Sequence, residues 1–143
     1  MPFLTKEDLK TVVTIDIINL ITNNDDDTVE QIIKEDISTI KTYLGSYYDM
    51  DEVFSKTGDD RNLTVVKYLK AIIAHDLPKR RKKPVSKDAD VDYAEAMNWL
   101  EKIASGEWKA DLPRKKKDLD GDGIPDEVPF MKLGSRKSYR NSW

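Results

Sequence analysis

The sequence predicts an all-α protein: a small helical bundle carrying an extended, largely irregular C-terminal arm. Three observations lead there. Apolar residues recur at spacings of three and four in several stretches, the period of one helix face. No stretch sustains the strict alternation of a half-buried strand, and only the β-branched Val12 to Ile15 leaves room for one. After Gly106 no period persists at all.

The elements follow in order. Thr5 and Asp8 stand as in a capping box, with Asp in place of Glu or Gln, and open a short helix through Lys10. Thr14 caps a second short helix, Ile15 to Ile21, with Ile15, Ile18 and either Leu20 or Ile21 turned inward. Asn23 to Asp27 is a polar break, in which Asp25-Asp26-Asp27 reads as a capping cluster rather than a cation site. Asp27 or Thr28 then caps the clearest helix, roughly 28–47. Its stripe is Val29, Ile33, Ile37, Ile40, Leu44 and Tyr47, at spacings of 4, 4, 3, 4 and 3.

Residues 48–60 read as a connection with one helical turn near Asp51 to Phe54. A helix at 62–77, capped by Asn62 or Asp60, turns Leu63, Val66, Leu69 or Ile72, and Ile73 inward. Pro78 is expected to stop it near Asp76. The last helix, 91–105, starts after Asp88 or Asp90. Its stripe is Tyr93 or Ala94, Ala96 or Met97, Leu100 and Ile103-Ala104, and Gly106 supplies a left-handed exit. The bundle is thus residues 1–106 and the arm residues 107–143.

With 143 residues the chain suits one domain, and 36% charged residues imply a modest core. The net charge of −3 conceals a polarity: residues 1–78 carry −7 and residues 79–143 carry +4. The absence of cysteine excludes disulfides, zinc–thiolate sites and thiol nucleophiles. The single histidine, His75, excludes a multi-histidine metal site and reads as structural. There is no phosphate-cradling glycine loop, nucleophile elbow or HExxH, so no enzyme is expected. No apolar run approaches the ~18 residues of a membrane span. Acidic residues stand where a signal peptide needs an apolar stretch. The expectation is a soluble protein made in a cytoplasm.

Two motifs carry chemistry. Lys79, Arg80, Arg81, Lys82 and Lys83 are five consecutive positive charges, which repel one another and resist burial. They are expected in an exposed loop between two helices, able to neutralise phosphates without reading sequence. The second motif runs from Asp118 to Glu127. Asp118, Asp120, Asp122, the Ile124 carbonyl and Asp126 are spaced as oxygen ligands around calcium, with Gly123 at the sixth position. The stretch resembles the calcium loops of EF-hands, dockerins and thrombospondin type 3 repeats. It departs at the twelfth position, where Pro129 replaces the bidentate carboxylate, so calcium binding would be weak without a further ligand. The arm is also too apolar for a plain linker. Trp108, Phe130, Leu133, Tyr139 and Trp143 are expected to dock on a partner.

The order of elements resembles a known family. Thr5-x-x-Asp8-Leu9 opens the chain. A helix ends in Ile40-x-x-Tyr43-Leu44-Gly45-x-Tyr47-Tyr48. The string Tyr93-x-x-Ala96-x-x-Trp99-Leu100-x-x-Ile103-Ala104-x-Gly106 closes the bundle. Over about residues 3–113 this is similar to the phage head-completion family typified by phage Mu, related in architecture to the head–tail adaptors of tailed phages. The charged stretch 79–87 and the segment after Leu112 depart from that pattern.

The resemblance implies a structural virion protein without an active site, assembled in the bacterial host cytoplasm and placed at the portal vertex or neck. Copies would form a ring below the portal that joins capsid to tail around the DNA channel. The implied partners are further copies of the chain, the portal protein and other neck or tail proteins. A basic loop facing the channel would touch packaged DNA, and no membrane is involved. The alternative is a small helical nucleic-acid-binding protein with basic arms. Its recognition helix would have to present Arg, Asn or Gln to base edges. The two best helices instead expose mainly Lys67, Lys70, Glu95, Asn98, Glu101 and Lys102.

Overall fold

The computed structural model describes residues 2–117, together with Gly121, Asp126, Glu127 and Pro129. A 3-10 helix, Lys6–Thr11, opens the fold behind the Thr5–Asp8 capping box. The helices that follow are α1 (Ile15–Thr22), α2 (Asp26–Leu44), α3 (Met50–Ser55), α4 (Leu63–Arg80) and α5 (Lys87–Ala104). A 3-10 turn, Gly58–Asp60, lies between α3 and α4. Val12 to Ile15 is not a strand. The described strands are two-residue β1 (Lys116–Lys117) and β2 (Asp126–Glu127), paired antiparallel with Lys116 opposite Glu127 and Lys117 opposite Asp126.

The caps explain where the helices begin. Thr14 accepts a hydrogen bond from the Ile17 amide, and Asn62 accepts one from Val65. For α2 the cap is Asp25, not Asp27 or Thr28. Its carboxylate accepts from the amides of Asp27 and Thr28 and from the Thr28 hydroxyl at 2.8 Å. Those bonds, the Thr28 hydroxyl first, hold the Asp25 carboxyl below its ordinary value. The whole Asp25–Asp27 cluster therefore sits at a helix N-terminus, where negative charge is favoured. Helix α5 starts earlier than expected. Ser86, rather than Asp88 or Asp90, is its cap, accepting from the Ala89 amide at 3.1 Å.

The core lies where α2, α4 and α5 pack on one another. Helix α4 is central. Val65, Val66, Leu69, Ile72, Ile73, Leu77 and Pro78 are all buried and wrap most of its circumference. That is why Pro78 does not stop it. A proline removes a backbone donor and crowds the preceding turn, but packing of a buried face outweighs local propensity. The helix runs on through Arg80 with Pro78 inside its last turn.

The apolar stripes need two corrections, at Leu63 and Ile37, and the alternatives left open on α1 and α5 are resolved. Leu63 is 75% exposed, with Val65 inward instead. On α1 the choice falls to Ile21, since Leu20 is exposed, and Ile18 is fully buried as expected. On α2 Ile37 is only half-buried, because Asp36 occupies the inward position. Tyr93 and Ala96 face inward on α5, while Ala94 is exposed. Gly106 leaves the helix at φ +84° as expected.

The chain after Gly106 first returns to the bundle. Leu112 joins the core, and the Tyr48 hydroxyl accepts from the Ala110 amide at 2.9 Å. The Asp49 amide donates to the Pro113 carbonyl and the Lys115 amide to the Tyr47 carbonyl, both at 2.8 Å. Tyr48 and Arg114 form an isolated antiparallel bridge. Asn62 adds a bond from its side-chain amide to the Asp111 carbonyl at 3.1 Å.

Candidate nucleic-acid interface

The five-residue basic run is not wholly a loop. Lys79 and Arg80 are the last residues of α4, Arg81 is its C-cap, and only Lys82 and Lys83 lie beyond. The exit has a defined geometry. Lys82 is left-handed at φ +56°, its amide donates to the Lys79 carbonyl at 3.0 Å, and the Lys83 amide donates to the Pro78 carbonyl at 2.8 Å. These are the two bonds of a Schellman motif, with lysine where glycine is usual. Positive side chains at this end also meet the negative pole of the helix.

All five side chains are exposed, but they do not all point into open solvent. Arg80 donates to the Glu35 carboxylate at 2.7 Å. Arg81 donates from Nε to the Ile21 carbonyl at the end of α1, at 3.3 Å. A groove of about 470 Å³ brings Arg80 and Arg81 beside Asp25, Asp27 and Glu35. The basic end of α4 is thus pressed against the acidic start of α2, and the bundle itself meets part of its charge. Lys79, Lys82 and Lys83 are left on the outer side. They offer ammonium groups without a planar fork, which suits neutralising phosphates rather than selecting bases.

At the other end of the bundle, a cleft of about 820 Å³ lies between the end of α2 and the returning chain. Lys41, Gly45, Tyr48, Asp51, Arg114 and Glu127 line it. Lys116 of β1 and Glu127 of β2, paired opposite each other, also line this cleft. Asp126 belongs to β2, opposite Lys117. The other proposed calcium ligands, Asp118, Asp120, Asp122 and Ile124, lie outside the described residues, as do Phe130, Leu133, Tyr139 and Trp143. Trp108, the first aromatic of the arm, is 47% exposed, and its amide donates to the Lys102 carbonyl at 3.1 Å.

The polar group that sequence reasoning missed is inside the bundle. Asp36 is 2% exposed. Burial first, then its hydrogen bond to Asp76 and the charge of that neighbour, push its carboxyl up to about 9. His75 of α4 is stacked on Tyr93 of α5, with ring centroids 3.9 Å apart. Its Nε2 lies 3.2 Å from Asp90 Oδ1, and its Nδ1 lies 3.5 Å from Asp76 Oδ1. The signal was visible: Asp36 falls three residues after Ile33 and four before Ile40, on the buried stripe itself.

These features define a class first: a small all-α bundle with a basic helix end on one side and a strapped C-terminal segment on the other. Among the described residues no helix is long and apolar enough to cross a membrane. The family described as Bacteriophage Mu, Gp36 matches residues 3–124. The chain belongs to that family and is a phage protein. No curated protein and no solved structure matches it.

Proposed function

We propose that the chain is a head-completion or head–tail connector subunit, a non-enzymatic virion protein. On this reading its copies form a ring below the portal and join capsid to tail around the DNA channel. The observation that supports it is the family match across residues 3–124, which takes in the whole bundle and the strap that closes it. The role itself rests on the resemblance of residues 3–113 to the head-completion family. The exposed lysines at the end of α4 suit a sequence-independent contact with packaged DNA, whose strength falls with salt.

A phage lacking the chain is expected to accumulate DNA-filled heads separate from tails. Electron microscopy of purified particles should place the chain at the neck in a closed ring. Normal tailed particles formed without it would remove the reading. A dimer in solution that binds one DNA sequence in preference to others would favour the nucleic-acid-binding alternative.

A further inference from the structure

A groove of about 590 Å³ runs between the N-terminal segment and α2. Leu4 and Ile33, both buried, and the half-buried Ile37 give it an apolar floor. Asp26, Glu30, Ile33 and Ile37 follow at spacings of 4, 3 and 4, so one face of α2 forms a wall along it. That wall is about 16 Å long. The charged lining is three carboxylates, Glu7, Asp26 and Glu30, and two ammonium groups, Lys6 and Lys34. Lys6 is already bonded to Asp26 and Asn19. Glu7 and Glu30 are exposed and make no ion pair among the described residues. The groove is therefore apolar inside and acidic at its rim.

The same chain carries a segment of complementary chemistry. Residues 130–143 lie outside the described residues, and their sequence holds Lys132, Arg136, Lys137 and Arg140 with no acidic side chain. Tyr139 and Trp143 are interleaved with those charges. Each is a large apolar ring with a polar tip that donates a hydrogen bond, which suits an apolar floor rimmed by carboxylates.

Length points to a second copy. Glu127 lines a cleft that Lys41 also lines, and Lys41 stands one turn of α2 from Ile37. A segment serving its own groove would need only a few residues beyond Glu127. Sixteen residues separate Glu127 from Trp143. Fully extended, they outspan a compact domain of this size, roughly 35–40 Å across. Tyr139 and Trp143 stand at the far end of that span.

We infer, on the proposed reading of a ring, that residues 136–143 of one copy seat in the groove between the N-terminal segment and α2 of the next. Tyr139 and Trp143 cover Leu4, Ile33 and Ile37, while Arg136 and Arg140 lie over Glu7 and Glu30. Groove and segment are different parts of one chain, so the contact is head-to-tail, the kind that closes into rings. It sets the half that carries −7 in one subunit against the basic end of its neighbour.

The experiment places a photo-crosslinking side chain at position 143 of the full chain and mixes isotopically light and heavy copies. Crosslinks from position 143 to residues 2–7 and 30–37 should join light chains to heavy ones. Crosslinks within single chains only would make the occupant the subunit's own segment and overturn the inference, as would an absence of crosslinks to the groove. Sedimentation of full-chain variants gives the second readout. Trp143→Ala should weaken self-association at least about thirtyfold, as for an aromatic anchor at the centre of an interface. Glu7→Lys with Glu30→Lys should weaken it and change its salt dependence, with urea unfolding nearly unchanged because exposed charges contribute little to stability. Self-association unchanged by either set of substitutions would overturn the inference. Its failure and that of the connector reading are distinct. A ring at the neck with crosslinks elsewhere removes this docking alone, whereas the expected crosslinks in a chain absent from the neck keep the docking and remove the role.

Discussion

Lys82 occupies a backbone conformation that a side chain resists. At φ +56° it takes the left-handed turn that ends α4, where a Cβ costs roughly 1–2 kcal/mol. Glycine relieves that strain but loses more entropy on folding, by roughly 0.5–1 kcal/mol. Lys82→Gly is therefore expected to raise stability by about 0.5–1 kcal/mol, read from urea unfolding at neutral pH. The same substitution removes one of the outward ammonium groups, so any affinity for DNA should fall while stability rises. Opposite movement of the two quantities is the diagnostic.

A second residue-scale expectation concerns Asp8. Burial works to raise its carboxyl, but bonds from the Thr5 amide and hydroxyl and from Arg61 outweigh it and hold it below its ordinary value. Arg61 reaches Asp8 Oδ2 at 3.1 Å and the Phe3 carbonyl at 2.9 Å, tying the N-terminal segment to the entrance of α4. A depressed carboxyl contributes stability above its unfolded value that disappears as pH falls through the folded one. Asp8→Asn should be less stable than the parent at pH 6 by about 1.5–3 kcal/mol, the range for hydrogen bonds to charged groups. The gap should begin to narrow below pH ~4 and close only once the pH has fallen through the parent's depressed folded value.

At the scale of elements, periodicity was legible and boundaries were not. Val29, Ile40 and Leu44 stood out as one face of α2, and they are fully buried. The cap was misplaced by two residues or more because Asp25, Asp26, Asp27 and Thr28 are all good capping residues. Only the fold decides which carboxylate points back at the amides. Pro78 misled for a related reason. Its local cost is real, but α4 is buried on most sides, and no window along the sequence shows how completely a helix is surrounded.

Helix α5 gives the corresponding test. Ser86 follows a proline-containing polar stretch, and its hydroxyl accepts the Ala89 amide. Ser86→Ala should cost about 1 kcal/mol in thermal or urea unfolding. Asp90→Asn should instead act through its contact with His75, 3.2 Å away. A negligible loss from Ser86→Ala would mean that α5 frays back to the carboxylates expected to start it.

For the whole molecule, the fold class was legible because three helical stretches carried most of the apolar side chains. The closing strap was not. Ala110, Leu112 and Pro113 have no period, and their role depends on Tyr47, Tyr48 and Asp49, which are more than sixty residues earlier. Contacts at that separation leave no local trace. The basic run was legible as charge, but its pairing with Glu35 and Ile21 was not, for the same reason. Truncation separates the two parts of the C-terminal segment. Ending the chain after Gly106 should lower the melting temperature markedly, since it uncovers the core beside Leu112 and removes the Tyr48–Ala110 bond. Ending it after Pro129 keeps every strap contact described above, so the difference in melting temperature between the two truncations reads out the strap.

The pairing of β1 with β2, backed by the Tyr48–Arg114 bridge, also makes a fixed anchor. Covalent geometry bounds how far the chain beyond Glu127 can extend. At the length of an extended chain, Trp143 can travel no more than roughly 55 Å from that point. A receptor surface beyond the radius lies out of reach of Trp143, however well it matched. The small strand pair would thus set which neighbours in an assembly Trp143 can touch, and lengthening the chain between Glu127 and Phe130 would widen that circle.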